Sequence, residues 1–224
     1  MRFERRRPNM IAILDYRVGN VRSVEKALQR VAAERSDRLG VPLEPVVLTA
    51  EREAILSARG VVLPGVGAFG ECITNLRGAG FEPLIREVVA RGIPLLGICV
   101  GMQMLFEVSE EMGEWRGLGI LPGRVVRFGG DLRVPQIGWN QIHIVRNDPL
   151  LAQVADGSYA YFVHSYYCRA EEPRDVVATT DYGVTYASVV NRGRVWGIQC
   201  HPEKSQAVGL RILGNFLALA EAGG

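Results

Sequence analysis

Several features that would assign a protein class directly are missing from this 224-residue chain. Its four cysteines form no Cys-x-x-Cys pair and no metal-ligand spacing, so the sequence predicts no metal and no other cofactor. Its longest apolar runs are the length of a strand, and we expect no membrane-spanning segment. Lys and Arg number 26 against 24 Asp and Glu, which is too balanced to indicate a nucleic-acid or anionic-membrane partner.

A secretory signal is also missing from the N-terminal residues. Residues 1–9 are rich in arginine, but no apolar segment follows as a signal would require. We therefore interpret 1–9 as a solvated basic extension and expect a reducing, cytoplasmic location with four free thiols. A buried free cysteine is usually a small packing residue, but a thiol is also available for chemistry.

The composition that remains is that of an ordinary globular protein. Hydrophobic residues make up 48% of the chain and charged residues 22%, which excludes a disordered chain. A chain of this length buries roughly 70% of its unfolded surface, so it needs no disulfide to hold a core. We expect one domain over residues 10–221.

The first half of the chain alternates between strand and helix patterns. Continuous apolar runs predict buried strands at 10–16, 45–50, 60–65 and 93–98. Between them, helical spacing follows a potential cap at Asn20 and recurs over 81–91, whereas 34–45 is polar and is interpreted as a loop. Buried strands separated by helices indicate a parallel sheet covered on both faces.

The second half changes to short alternating runs. Residues 123–200 contain several such runs joined by turns, which predict antiparallel or mixed strands, and 205–224 is an amphipathic helix. The predicted fold is therefore α/β, a single domain with a central mixed, largely parallel sheet flanked by helices.

Cys99 stands where a strand pattern gives way to a helical one. The stretch Gly97-Ile98-Cys99-Val100-Gly101 has the Gly-x-Cys-x-Gly form of a nucleophile elbow, in which a tight turn exposes the thiol at the carboxyl end of the sheet. A helix N-terminus there favours a thiolate, and the Val100 N–H can face an oxyanion. The pattern alone is weak, because it also arises by chance in a chain with 26 glycines.

A thiol nucleophile needs a histidine and a group that orients it. His201 follows a strand pattern, and Glu203 lies two residues on, beyond Pro202, so both side chains face the same way in extended backbone. Taken alone, the same residues also fit a polar strand end that contains an incidental histidine and glutamate. Cys200 faces the opposite way and is not the expected nucleophile, and His143 alternates as a strand residue with a structural role.

The stretch LPGVGAFG, residues 63–70, also follows a short strand. Gly65 and Gly67 flank Val66, so a peptide here reorients at low steric cost and can supply a second oxyanion donor. A plain β–α turn fits the same residues.

Together these stretches resemble the class I, triad-type glutamine amidotransferases. The further stretches ILDYRVGNVRSVEKAL, GWN, YFVHSYY and GIQCHPEKS are similar to those of the glutaminase subunits of imidazole glycerol phosphate synthase, and they extend from residue 11 to 205 in the family's order. The resemblance implies a flavodoxin-like fold and hydrolysis of glutamine to glutamate and ammonia.

The resemblance also implies a role for individual residues. Cys99 would attack the side-chain amide, His201 would transfer protons and Glu203 would orient it. The oxyanion would be held by Val100 of the elbow and by Val66 and Gly67 of the stretch LPGVGAFG. Glutamine would be bound by five further positions: Gly65, Gln103, Glu111, Ser165 and Tyr166. Each of the last four also has a purely structural interpretation. Gln103 would be a solvated helix residue, Glu111 a loop acid, and Ser165 and Tyr166 the end of a strand.

The family implies a partner, a (β/α)8-barrel cyclase that forms a heterodimer and receives the ammonia. With this ammonia, the cyclase would make imidazole glycerol phosphate and an aminoimidazole carboxamide ribotide in histidine biosynthesis. Asn20, Trp139 and Lys204 match positions near that interface, and the Val66 peptide would turn its N–H to the oxyanion only when the partner is loaded. Arg17, where the family usually has glycine, and the longer segments 1–9 and 34–45 are departures.

Three other readings remain open on the sequence. The chain could be a related amidotransferase that feeds another acceptor, a non-catalytic binding subunit, or a cysteine peptidase. The presence of Cys99, His201 and Glu203 argues against a non-catalytic subunit, and the His-Pro-Glu order near the chain end argues against a peptidase.

Overall fold

The computed structural model describes residues 10–19, 21–40 and 45–222. The predicted extension 1–9 and the predicted cap and interface residue Asn20 lie outside these ranges.

Five short parallel strands form the centre of the sheet. They are β1 (Ile11–Leu14), β2 (Val46–Thr49), β3 (Gly60–Leu63), β4 (Leu95–Ile98) and β13 (Val195–Ile198). Their order across the sheet is β2-β1-β3-β4-β13, a flavodoxin-like arrangement in which the last strand of the chain completes the parallel part. Every residue of β1, β3, β4 and β13 is buried, as the continuous apolar runs predict.

The remaining strands extend this sheet and add a mainly antiparallel layer. They are β5 (Phe106–Ser109), β6 (Trp115–Arg116), β7 (Leu121–Arg127), β8 (Gln136–Ile144), β9 (Ser158–His164), β10 (Tyr166–Ala170), β11 (Val176–Asp181) and β12 (Thr185–Arg192). From β13 the sheet continues as β12-β10-β7-β5-β6, while β11 links β12 to the β8–β9 ribbon. The prediction of a mixed sheet is confirmed, and the run 159–167 divides into two strands at Ser165.

Helices cover the sheet in two groups. They are α1 (Val21–Leu39), α2 (Arg52–Ser57), α3 (Phe69–Gly78), α4 (Phe81–Ala90), α5 (Val100–Gln103) and α6 (Gln206–Glu221). Helix α1 packs against α6, whereas α4 packs against α2 and α3. Within the described ranges, no helix has the length and apolar character to cross a membrane.

One expectation about helix length was wrong. Helix α1 continues to Leu39, so residues 34–39 are helical rather than part of a loop. Its later polar residues are held by ion pairs, including Arg30–Glu34 at 2.7 Å and Arg35–Glu221 at 2.7 Å, which a search for apolar spacing does not register. The elbow helix α5 ends after one turn, and the apolar run continues as strand β5.

Candidate active site

The site forms where three neighbouring parallel strands end. Cys99 follows β4, His201 follows β13, and the segment Gly65–Gly67 follows β3. Because the carboxyl ends of parallel strands share one edge of the sheet, these distant stretches meet around one cavity of about 420 Å³. Its lining comprises Val66, Gly67, Cys99, Val100, Gln103, Glu111, Pro135, Val163, His164, Ser165, Tyr166, His201 and Lys204.

Cys99 sits in a strained elbow, as its sequence context predicts. Its φ of 54° and ψ of −112° are unusual for a side-chain-bearing residue, and surrounding structure must hold such a backbone in place. The flanking glycines serve close packing rather than positive φ. A Cβ on Gly101 would lie 2.0 Å from the Leu63 carbonyl oxygen, and a Cβ on Gly97 would lie 2.7 Å from that of Gly101. The elbow therefore packs backbone to backbone against β3.

His201 and Glu203 form the predicted pair. The Nδ1 atom of His201 lies 2.9 Å from Oε1 of Glu203, and both side chains are almost fully buried. The Cys99 side chain lines the same cavity as the ring and interacts with it electrostatically. Pro202 begins a single 3-10 turn, Pro202–Lys204, which sets the spacing between ring and carboxylate. Cys99 and His201 thus line one cavity, and Glu203 is paired with the ring.

The charge of His201 follows from these contacts. Burial lowers the pKa of the ring, but the hydrogen bonds and charges of Cys99 and Glu203 outweigh burial and raise the pKa to about 10. At neutral pH the ring is therefore an imidazolium, with its Nδ1 proton directed at Glu203. It is poised to act as a general acid.

We expect this raised pKa to appear in the pH dependence of stability. Because the folded-state pKa of His201, about 10, exceeds the ordinary value of 6.5, protonation stabilises the fold fully below pH 6.5 and that contribution is lost as pH rises towards 10. The difference in unfolding free energy between wild type and His201→Gln should therefore shrink from pH 6 to pH 9.5 in urea titrations. Glu203→Gln should weaken the trend, and a difference that stays constant would contradict the buried imidazolium.

The segment after β3 is held in place by hydrogen bonds that three of its successive carbonyl groups accept. The Tyr16 hydroxyl donates to the Pro64 carbonyl, the Val100 N–H donates to the Gly65 carbonyl at 3.3 Å, and the Cys72 thiol donates to the Val66 carbonyl at 3.3 Å. The N–H of Val100, one of the three predicted oxyanion residues, is therefore occupied. In this conformation the Gly65–Val66 peptide presents its oxygen, not its N–H, to the elbow.

The predicted glutamine-binding residues have different positions. Gln103, Glu111, Ser165 and Tyr166 all line the cavity, whereas Gly65 is buried behind it, where a Cβ would lie 2.4 Å from the Gly101 nitrogen. One carboxylate oxygen of Glu111 accepts a hydrogen bond from the Phe69 N–H at 2.7 Å, at the start of α3. Burial raises the pKa of Glu111, and that hydrogen bond lowers it by less.

Comparison with known proteins agrees with this geometry. The family model for class I glutamine amidotransferases matches residues 18–219. The chain belongs to the class I glutamine amidotransferases. The imidazole glycerol phosphate synthase subunit HisH of Salinibacter ruber is 48% identical over 217 residues, covering 94% of each chain. HisH of Moorella thermoacetica is 46% identical over 214 residues, covering 96% of this chain and 97% of its own.

A solved structure gives the same fold at lower identity. A crystal structure described as a glutamine amidotransferase superimposes with a TM-score of 0.67 and 21% identity, covering 95% of this chain and 99% of that one. The expected single-domain amidotransferase fold is therefore confirmed.

Sequence reasoning missed two polar residues of this amidotransferase site. His164 lines the cavity, and its Nδ1 lies 2.8 Å from the Tyr166 carbonyl oxygen. Burial lowers the pKa of His164 to about 4, so the ring is neutral and its Nδ1 donates to that carbonyl. Gln199, fully buried at the end of β13, contacts both Cys99 and Gln103. The signal for Gln199 was its place in the GIQCHPEKS stretch, two residues before His201.

The other three cysteines of the amidotransferase are buried thiols. Burial is the main cause that raises the pKa of Cys72 and of Cys200 to about 12, and it raises that of Cys168 as well. None of the three lines the cavity. Among the described residues, no group of His, Cys, Asp and Glu is placed to hold a metal ion.

Next to the cavity lies an exposed aromatic face. The Trp139 and Tyr161 rings meet edge to face at 6.0 Å, and Lys204 Nζ lies 5.6 Å from the centre of the Tyr161 ring. Trp139 is 47% exposed and its strand neighbour Ile137 is 63% exposed. Two of the three predicted interface residues thus lie together around Tyr161.

Proposed function

We propose that this protein hydrolyses glutamine with Cys99, His201 and Glu203, and delivers the ammonia to the cyclase subunit of an imidazole glycerol phosphate synthase. The observation that carries the proposal is the His201–Glu203 pair, with 2.9 Å between Nδ1 and Oε1, whose ring lines a cavity of about 420 Å³ together with Cys99. Relatives named as the HisH subunit of that synthase, at 46–48% identity over nearly the whole chain, support the choice of acceptor enzyme.

The reaction follows from the charges in the site. The Cys99 sulfur attacks the side-chain carbonyl carbon of glutamine, and the electron pair of the carbonyl moves to its oxygen. The His201 imidazolium donates its proton to the departing amino group, so that ammonia leaves and a thioester remains. Neutral His201 then takes a proton from water, which attacks the thioester and releases glutamate. Glu203 keeps the ring oriented and stabilises its charged form in both steps.

The oxyanion in this scheme requires a rearrangement of the segment after β3. The Gly65 carbonyl accepts from Val100 N–H, so turning the Gly65–Val66 peptide would free that donor and add the Val66 N–H. The flanking hydrogen bonds, from Tyr16 to Pro64 and from Cys72 to Val66, can remain in place as fixed points on either side. The proposed glutaminase is therefore weak in the resting conformation and depends on a partner to shift the equilibrium.

The partner surface would be the exposed face of the β8–β9 ribbon. Trp139 lies opposite Tyr161, and Ile137 lies opposite Val163, so the four side chains share one face of the ribbon. Val163 and Lys204 also line the cavity, which makes the face continuous with the mouth of the active site. A barrel seated here would receive ammonia without its passing through solvent.

The decisive experiment is a glutaminase assay in which purified cyclase and its ligand are titrated onto the protein. We expect low turnover by the protein alone and at least about tenfold stimulation by the loaded cyclase, because the oxyanion donors are occupied in the resting state. Trp139→Ala should raise the cyclase concentration needed for half-maximal stimulation by tenfold or more, because the complex would lose an aromatic side chain that is buried at the interface.

Val145→Ala is the matched control, because Val145 is also an exposed apolar residue, at 57%, but lies directly after the far end of β8. It should leave stimulation unchanged. Glutamine turnover that another synthase stimulates, and this cyclase does not, would assign a different acceptor. Peptide cleavage without glutamine turnover would assign a peptidase.

A further inference from the structure

Gln199 occupies a position directly beside the nucleophile. Strands β13 and β4 are parallel and in register, with Ile198 opposite Ile98, so the next residues, Gln199 and Cys99, are neighbours across the sheet. The Cys99 N–H donates to the Ile198 carbonyl at 2.8 Å, which fixes this alignment. The Gln199 side chain is fully buried, and its Nε2 lies 3.7 Å from the Cys99 sulfur.

The direction of these hydrogen bonds is set by one main-chain group. The Tyr166 carbonyl can only accept, so Gln103, whose Nε2 lies 3.0 Å from it, must turn its amino group that way. The same amino group lies 3.1 Å from Gln199, which must therefore present its oxygen to Gln103. This leaves the Gln199 amino group facing sulfur. The orientation of a buried amide, which is ordinarily ambiguous, is thus determined by the chain of contacts.

We propose that Gln199 is a further catalytic residue of the glutaminase reaction, whose side-chain amide donates a hydrogen bond to the Cys99 sulfur. The proposal rests on the function proposed above. The sulfur is negatively charged when it attacks, and again when the thioester C–S bond breaks and its electron pair returns to sulfur. A hydrogen bond to a charged acceptor in a buried site is strong, so it favours both states.

Gln199 complements His201 rather than duplicating it. His201 gives its proton to the departing ammonia, and after that step the neutral ring no longer offsets negative charge on the sulfur. An amide cannot lose its proton at any working pH, so Gln199 donates throughout the cycle. Its oxygen, meanwhile, holds the amino group of Gln103, a residue of the cavity wall. One side chain thus couples the nucleophile to the wall that faces substrate.

Two variants separate this role from simple packing. Gln199→Glu keeps the shape and the acceptor for Gln103 but removes the donor and places negative charge beside the sulfur. Gln199→Met is close to isosteric and lacks both polar groups, which covers the case in which a buried carboxylate prevents folding. Ser188→Ala is the control, because Ser188 is a buried neighbour on β12 whose carbonyl accepts from the Gln199 N–H and whose hydroxyl forms no hydrogen bond.

The readouts are glutaminase kinetics of the complex with loaded cyclase, and alkylation of Cys99 by iodoacetamide at pH 7 with Cys99→Ala as background. We expect Gln199→Glu and Gln199→Met to lower kcat at least tenfold with KM changed less than threefold, and to slow alkylation about fivefold or more. Ser188→Ala should match wild type in both assays.

Kinetics and alkylation within twofold of wild type in a folded Gln199 variant would overturn the proposal. A loss of kcat with unchanged alkylation would also overturn it, because Gln199 would then act only on the cavity wall. Alkylation requires no glutamine, so it tests the contact separately. A wild-type complex that fails to hydrolyse glutamine would instead refute the proposed function.

Discussion

Replacement of Cys99 by alanine is expected to lower glutamine turnover by at least about 10³-fold, to the background of the assay, because no other group can form the thioester. Cys99 directly follows the carboxyl end of β4, with a backbone φ of 54°, and its thiol lines the cavity. Turnover would be followed as glutamate release by the complex with loaded cyclase. Circular dichroism and urea titration would confirm that the variant is folded.

Cys168→Ala provides the matched control. Cys168 is as buried as Cys99, at 1% exposure against 4%, and lies on β10 within the same sheet. Removal of its sulfur should lower the free energy of unfolding by about 1 kcal/mol, because one buried heavy atom is lost, and should leave kcat unchanged. Substantial turnover by Cys99→Ala, or loss of turnover by Cys168→Ala in a folded protein, would contradict the assignment of the nucleophile.

Local sequence patterns predicted the parts of the site that depend on local backbone geometry. The elbow around Cys99 is a strand-to-helix turn, and the His201–Glu203 pair lies within one extended segment and a 3-10 turn. Buried parallel strands were also predictable, since their apolar runs are continuous. No local sequence pattern, however, shows that Cys99 and His201 lie close together. They are neighbours because β13 pairs with β4.

The features that sequence patterns missed depend on register and on hydrogen-bond direction. Gln199 becomes a neighbour of Cys99 only through the parallel register of β4 and β13. The occupied Val100 N–H depends on which way the Gly65–Val66 peptide points, and glycine permits either direction. The extent of α1 was missed for a different reason, since ion pairs on its exposed face, rather than apolar spacing, continue the helix to Leu39.

The carboxylate of the site is positioned from behind by helix α6. A Cβ on Gly209 would lie 1.9 Å from the Pro202 carbonyl oxygen, so the helix packs with its backbone against the turn that carries Glu203. The first turn of α6 strengthens this contact. The Ser205 hydroxyl donates to the His201 carbonyl at 2.7 Å, and the Gly209 N–H donates to the Ser205 carbonyl at 3.1 Å.

Gly209→Ala is therefore expected to lower glutaminase kcat by about 10–100-fold, although Gly209 touches neither substrate nor triad. The added methyl group must push the Pro202–Lys204 turn or the helix aside, which displaces Glu203 from its 2.9 Å contact with His201. Overpacking of this kind costs about 1–3 kcal/mol of unfolding free energy. Urea titration and steady-state kinetics of the complex with loaded cyclase would measure the two effects together.

Gly78→Ala separates the contact from the general effect of replacing a helical glycine. Gly78 ends α3, and a Cβ there would meet no atom within 4 Å, so this change should leave kcat intact and stabilise the fold by up to about 1 kcal/mol. If Gly209→Ala loses stability but keeps wild-type kcat, the helix would support the fold without setting the geometry of the triad. Loss of kcat with a weakened pH trend in His201-dependent stability would place the damage at the Glu203 contact, because that contact is one of those that raise the His201 pKa.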